Sequence, residues 1–139
     1  MKPQWVMCAV TVAALVGCSS TAVSDKTEYK SKHGVTVTVT APHSGEVISS
    51  PVKVRGRVPG SWSFEASFGI EIQDTNHKKV SDGFATIKGD WMTEKPVGFT
   101  ASVSFKAPVT GSGYVVLRRA NPSAESDQAD SVSIPVKFK

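Results

Sequence analysis

Few residues in this chain have the type and spacing for chemistry. Glu65 and Glu71 share parity in an alternating stretch, which would put both on one outward strand face. Six residues at about 3.3 Å each separate them by roughly 20 Å. Paired carboxylates that cleave glycosides work at about 5–9.5 Å, so the pair is excluded as an acid–base couple. His33, His43 and His77 fall in a polar stretch and two turns, and a metal site built from them would need distant loops to converge. Asp74-Thr75-Asn76 opens like a calcium loop, but Lys79 and Ala85 stand where Gly and Glu are required. Glu125, Asp127 and Asp130 cluster within one loop, either as a weak cation site or as a solvated acidic loop. There is no Gly-x-Ser-x-Gly elbow, no His-Glu-x-x-His and no phosphate-cradling Gly-x-x-x-x-Gly-Lys. These residues predict no catalytic group, no metal ligand and no cofactor.

The two cysteines carry a different message. Lys2 precedes an apolar run from Trp5 to Val16, matching the charged and hydrophobic regions of an export signal. No apolar run reaches the roughly 20 residues a membrane span needs. Leu15-Val16-Gly17-Cys18 resembles the lipobox of bacterial lipoproteins, with a Ser-Ser pair following. The resemblance implies cleavage before Cys18, diacylglyceryl modification of its thiol, and anchorage to a bacterial membrane. The competing reading is an ordinary secretory signal with Cys18 incidental. If the lipobox operates, residues 1–17 are lost with Cys8, and Cys18 is consumed by lipid. The mature chain then has no thiol for a disulfide, a nucleophile or a metal. Only Lys2 leaves as a charge, so the formal net charge of +4 falls to +3.

Residues 18–33 have no period and little to bury, and read as a tether with a coil span of about 20 Å. Residues 34–139 read as one domain. The chain is 139 residues long, 40% apolar and 20% charged, which suffices for a core. Its pattern is period two. Val35, Val37 and Val39 alternate with threonines; Val52, Val54, Gly56 and Val58 alternate with Lys53, Arg55 and Arg57. A third strand puts Trp62, Phe64, Ala66, Phe68, Ile70 and Ile72 on one face. Asp74-Thr75-Asn76-His77 turns the chain, and Val80–Ile87 returns it, with a bulge expected at Asp82-Gly83. Phe99, Ala101, Val103 and Phe105 alternate next. Tyr114–Leu117 is continuously apolar, as in a central strand, and Val132, Ile134, Val136 and Phe138 close the chain on an edge strand marked by Pro135.

About seven short strands with regular turn signals and no helical stretch predict an all-β, antiparallel sandwich of immunoglobulin-like type. An up-and-down barrel is the alternative. The absence of a Cys–Trp–Cys core excludes an antibody-type domain.

These strands are also similar to the bacterial spore-germination immunoglobulin-like domain, from about Val35 to Phe138. The likeness rests on Pro42-His43-Ser44-Gly45, Ser50–Gly56, Phe64-Glu65-Ala66, Gly83–Thr86 with Gly89-Asp90-Trp91, Phe99-Thr100-Ala101, Pro122–Glu125 and Ile134-Pro135-Val136. It departs at Asn76-His77 and Ser126-Asp127-Gln128, where the family tends to carry Asp-Gly turns. The resemblance implies a non-catalytic binding module or a spacer of the cell envelope.

Two sets of candidate contacts remain. Trp91-Met92 could anchor a partner, or Trp91 could fold back to cap the sandwich. In immunoglobulin-like topology the first, second and fifth strands lie in one sheet. Their outward residues would be Thr36, Thr38 and Thr40; Lys53, Arg55 and Arg57; and Thr100, Ser102, Ser104 and Lys106. That face would carry four cations and no carboxylate, suited to an anionic envelope polymer, a headgroup or an envelope protein, with no nucleic acid implied. The bland alternative is a solvated face that discourages edge pairing.

Overall fold

A computed structural model describes residues 25–108 and 110–139. The stretch expected to be an export signal, Cys18 and the first part of the expected tether lie outside the described residues. Nine strands form: β1 Thr27–Lys30, β2 Thr36–Ala41, β3 Val47–Ile48, β4 Val52–Pro59, β5 Ser67–Asp74, β6 Lys79–Lys88, β7 Pro96–Val103, β8 Ser112–Arg118 and β9 Ser131–Phe138. They hydrogen-bond in the order β1-β2-β4-β7-β6-β5-β8-β9-β3, a curled sheet whose two ends face each other across one core. That order is not up-and-down, which removes the barrel. The expected neighbours β2, β4 and β7 do lie side by side.

Alternation decides what goes inside. Val37, Val39, Val54 and Val58 from one layer meet Ile70, Ile72, Leu117 and Ile134 from the other, each at most 1% exposed. Phe68 joins the layers, edge-on to Trp62 at 6.2 Å and to Phe99 at 5.0 Å. Such pairings add about 0.5–1.5 kcal/mol beyond burial. β6 stitches the layers together. Its residues Lys79–Thr86 pair with β5, and Ala85–Lys88 pair with β7.

Three expectations are corrected. The tether does not extend to His33, because Thr27–Lys30 pairs with Thr36–Val39 as an edge strand. Ser31 is buried there, and its hydroxyl donates to Asp130 Oδ2 at 2.6 Å. The third strand does not begin at Trp62. A 3-10 turn over Gly60–Trp62 buries the indole, and a tight turn from Phe64 to Ser67 then breaks the parity. Glu65 and Ala66 take φ of 49° and 63° in that turn. Phe64 therefore points to solvent at 50% exposure, instead of into the core. The register shift falls between Ile72 and Gln73 as they pair with β6, leaving Val80 as the extra residue, and not at Asp82-Gly83.

A second irregularity shapes the cationic side of the sheet. β2 slips between Val39 and Ala41, so Thr40 drops out of register with β4. The β2 backbone crowds Gly56 at this point, where a Cβ would meet Thr38 O at 2.0 Å. Only glycine fits there.

Candidate functional site

β4 presents Lys53, Arg55 and Arg57 outward because Val52, Val54 and Val58 are drawn into the core. Antiparallel register then dictates their neighbours. Lys53 pairs with Ser102, Arg55 with Thr100, and Arg57 with Gly98. Across β7, Thr100 pairs with Thr86 and Gly98 with Lys88. Residues directly opposed across a ladder share a face. The side chains therefore form an open depression of about 500 Å³, lined by Lys53, Arg55, Lys88, Thr86, Thr100 and Phe84 among others. Gly98 adds no side chain between Arg57 and Lys88, and a Cβ there would touch nothing within 4 Å.

Lys53 Nζ donates to Ser102 Oγ at 3.2 Å. None of Lys53, Arg55, Arg57 or Lys88 forms an ion pair among the described residues. The hydroxyls of Thr86, Thr100 and Ser102 add donors and acceptors that can follow an anionic oxygen. No carboxylate lines this depression. The arrangement can hold an anion by charge and hydrogen bonding; it contains no nucleophile–base pair.

The expected face is altered at both ends. Lys106 lies three residues past the end of β7 and does not line the depression. Lys88, one residue past the strand expected to end at Ile87, lines it instead. β1 adds Glu28 and Lys30 beside Thr38 and Thr36, so the wider face is not free of carboxylates. Glu28 sits two strands from Arg57, beyond Thr38, at about 10 Å by strand spacing.

The remaining candidates separate. Trp91 packs partly buried against the core, as a cap, while Met92 is 79% exposed. Their loop is pinned because Gly60 N–H and Ser61 N–H donate to Lys95 O and Thr93 O. Glu65 sits in the tight turn, while Glu71 lies on β5 and accepts from Arg118 Nε at 2.6 Å. The Asp74 carboxylate caps its own turn, accepting from the N–H groups of Asn76 and Lys78. His43 stands between Glu46 and Asp25, whose hydrogen bonds raise its pKa above the ordinary imidazole value. Asp130 leaves the acidic cluster altogether: it is 4% exposed and accepts from Ser31, the N–H of His33 and the N–H of Ser131.

Sequence reasoning missed Phe84, Thr86 and Lys88 as members of this face. Their strand was legible, but its pairing partner was not. Alternation with buried Ala85 and Ile87 was the available signal.

No curated protein and no solved structure matches the chain. One family model does, over residues 36–126, so that β9, the strand between β8 and β3, lies beyond the matched stretch. With more than half of its length matched, the chain belongs to the family of the immunoglobulin-like domain of bacterial spore germination.

Proposed function

We propose that this protein is an exported, lipid-anchored lipoprotein of the bacterial cell envelope whose immunoglobulin-like domain is a non-catalytic module for anionic ligands. The immunoglobulin-like domain of this family suggests a non-catalytic module. The observation that carries the reading is the depression around Lys53, Arg55 and Lys88, with cations and hydroxyls but no lining carboxylate. Phosphate- or carboxylate-bearing envelope polymers and anionic headgroups are the matching partners. Each basic side chain near an anionic surface contributes about 1 kcal/mol, weakened by salt.

The sequence motif is what supports the anchor. Cys18 follows the lipobox-like Leu15-Val16-Gly17, and two acyl chains hold a protein to a membrane at about 0.8 kcal/mol per buried CH2. Eight residues of sequence lie between Cys18 and β1. β1 is the edge strand of the layer that carries the cationic face, so a chain anchored at Cys18 would enter the domain on that layer.

Binding of the purified full chain to poly(glycerol phosphate) and to anionic vesicles across a salt series tests the ligand class. Affinity should fall as salt rises, and the combined Lys53→Glu, Arg55→Glu and Arg57→Glu change should abolish binding with the melt intact. Salt-independent or absent binding would leave a spacer as the better reading. For the anchor, mass spectrometry of native protein should find acylated Cys18 and no peptide from residues 1–17; an unacylated chain released to the medium overturns it.

A further inference from the structure

Beside the cationic depression runs a second one, a groove of about 450 Å³. Phe64 and Phe84 form its walls, Gly69 its floor, and Arg118, Ala120 and Pro122 its far rim. Phe64 is 50% exposed and Phe84 is 75% exposed, and neither ring packs on another aromatic among the described residues. Both exposures have local causes. Phe64 heads the tight turn, and Phe84 points outward because Ala85 is drawn inward.

Gly69 opens the slot. It pairs with Phe84 on one side and Arg118 on the other, and a Cβ there would meet only Arg118 Cβ, at 3.9 Å. Bare backbone thus lies between an aromatic ring and a guanidinium. Glu71 holds Arg118 by its Nε, which leaves the terminal nitrogens for a ligand. Phe84 also borders the cationic depression, so the two depressions share that ring.

Charge and shape select the occupant. The charged residues lining the groove are Arg118 and Arg119, and beyond Phe84 stand Lys53, Arg55 and Lys88. An acyl chain would cover the rings but leave the cations unmatched in an open groove. A plain polyphosphodiester would match the cations but leave the rings in water. A sugar ring meets both demands, having a flat C–H face, polar edges and, in an acidic glycan, a charge on every repeat. Exposed apolar patches with convergent polar groups mark ligand sites.

We propose that the Phe64–Gly69–Phe84–Arg118 groove is the ring-binding subsite for an acidic glycan. A pyranose face packs on Phe84, Arg118 takes the acidic group of that sugar, and the chain continues over Lys88, Arg55 and Lys53. This deepens the anionic-ligand reading and rests on it.

The test compares two anionic polymers on the full chain: oligogalacturonate, with rings, and poly(glycerol phosphate), without them. Phe84→Ala should weaken oligogalacturonate binding roughly tenfold and poly(glycerol phosphate) binding several-fold less, because the ring borders both depressions, and should leave the melt unchanged because the ring is exposed. Phe64→Ala should give a smaller loss of the same kind. The pair Lys53→Glu and Arg55→Glu should weaken both polymers. Equal binding of both polymers with no response to Phe84→Ala overturns the subsite and spares the anionic-ligand reading. Failure of both polymers to bind at low salt overturns both. Vesicle binding that depends on Phe84 while oligogalacturonate fails to bind would assign the groove to lipid and overturn the glycan.

Discussion

The two outer faces of the curled sheet follow the same alternation and reach opposite electrostatic ends. On β5 and β8, Glu71 accepts from Arg118 at 2.6 Å and from Gln73 at 3.0 Å, and Gln73 meets His77 Nδ1 at 3.2 Å. His77 stacks on Tyr114 with centroids 4.4 Å apart. Beneath this polar lattice Val116 is 2% exposed although it points away from the main core. On β4, β7 and β6, by contrast, Lys53, Arg55, Arg57 and Lys88 have no carboxylate partner among the described residues. One face pairs its charges internally, Arg118 through Nε alone. The other leaves them to solvent and ligand. Counting charged residues would not separate the two faces, whereas partnership does.

The largest effects should come from the core that both faces cover. Phe68→Ala should cost about 3–5 kcal/mol in denaturant unfolding. Phe84→Ala, on the outer side of the neighbouring strand, should stay within about 0.5 kcal/mol. Comparable losses would mean that Phe84 is packed, and the groove it walls would be gone.

Next comes Asp130, which joins the β1 edge to the loop before β9. Asp130→Ala strands a buried hydroxyl and two N–H donors, and should cost about 2–4 kcal/mol. Hydrogen exchange should show the β1–β2 ladder losing protection first. Unchanged protection would mean that β1 does not depend on this carboxylate.

Smaller effects sharpen the comparison between the faces. Glu71→Ala, which releases Arg118 and Gln73, should cost about 1 kcal/mol, since the pair is partly exposed. The charge reversal of Lys53, Arg55 and Arg57 should move the melting temperature less than Glu71→Ala does. The reverse ranking would show the cations to be structural.

The smallest is a pH effect at His43. Its pKa is raised chiefly by the hydrogen bond to Glu46, then by that to Asp25. The folded state favours the charged ring. Its contribution is complete below about pH 6.5, the unfolded value, and fades as pH climbs through the raised folded pKa. The NMR titration midpoint should lie above about 6.5, and Glu46→Gln should lower it; no movement would remove the carboxylate from the explanation.

Strand existence was legible because period-two alternation of β-branched residues has one low-energy reading when one face must be buried. Val37, Val54, Ile70, Phe99 and Ile134 were identified as inward on that basis, and the structure buries all five. β1 was not legible, since Thr27–Lys30 is polar and gains its place through hydrogen bonds to β2 and the Ser31–Asp130 lock. The turn at Glu65-Ala66 was hidden too. Two-residue turns with positive φ usually announce themselves with Asn-Gly or Asp-Gly, and here tertiary packing of Trp62 and Phe68 on either side imposes the geometry.

The sequence by itself determined seven of the nine strands, most of the inward set and the outward cations of β4, because each follows from local alternation along one segment. Only the tertiary structure decided that Lys88 joins those cations while Lys106 does not, and that Phe64, Gly69, Phe84 and Arg118 meet. Those juxtapositions depend on which strands pair and in what register. Pairing is chosen by burial summed over the whole sheet, a quantity that no single segment carries.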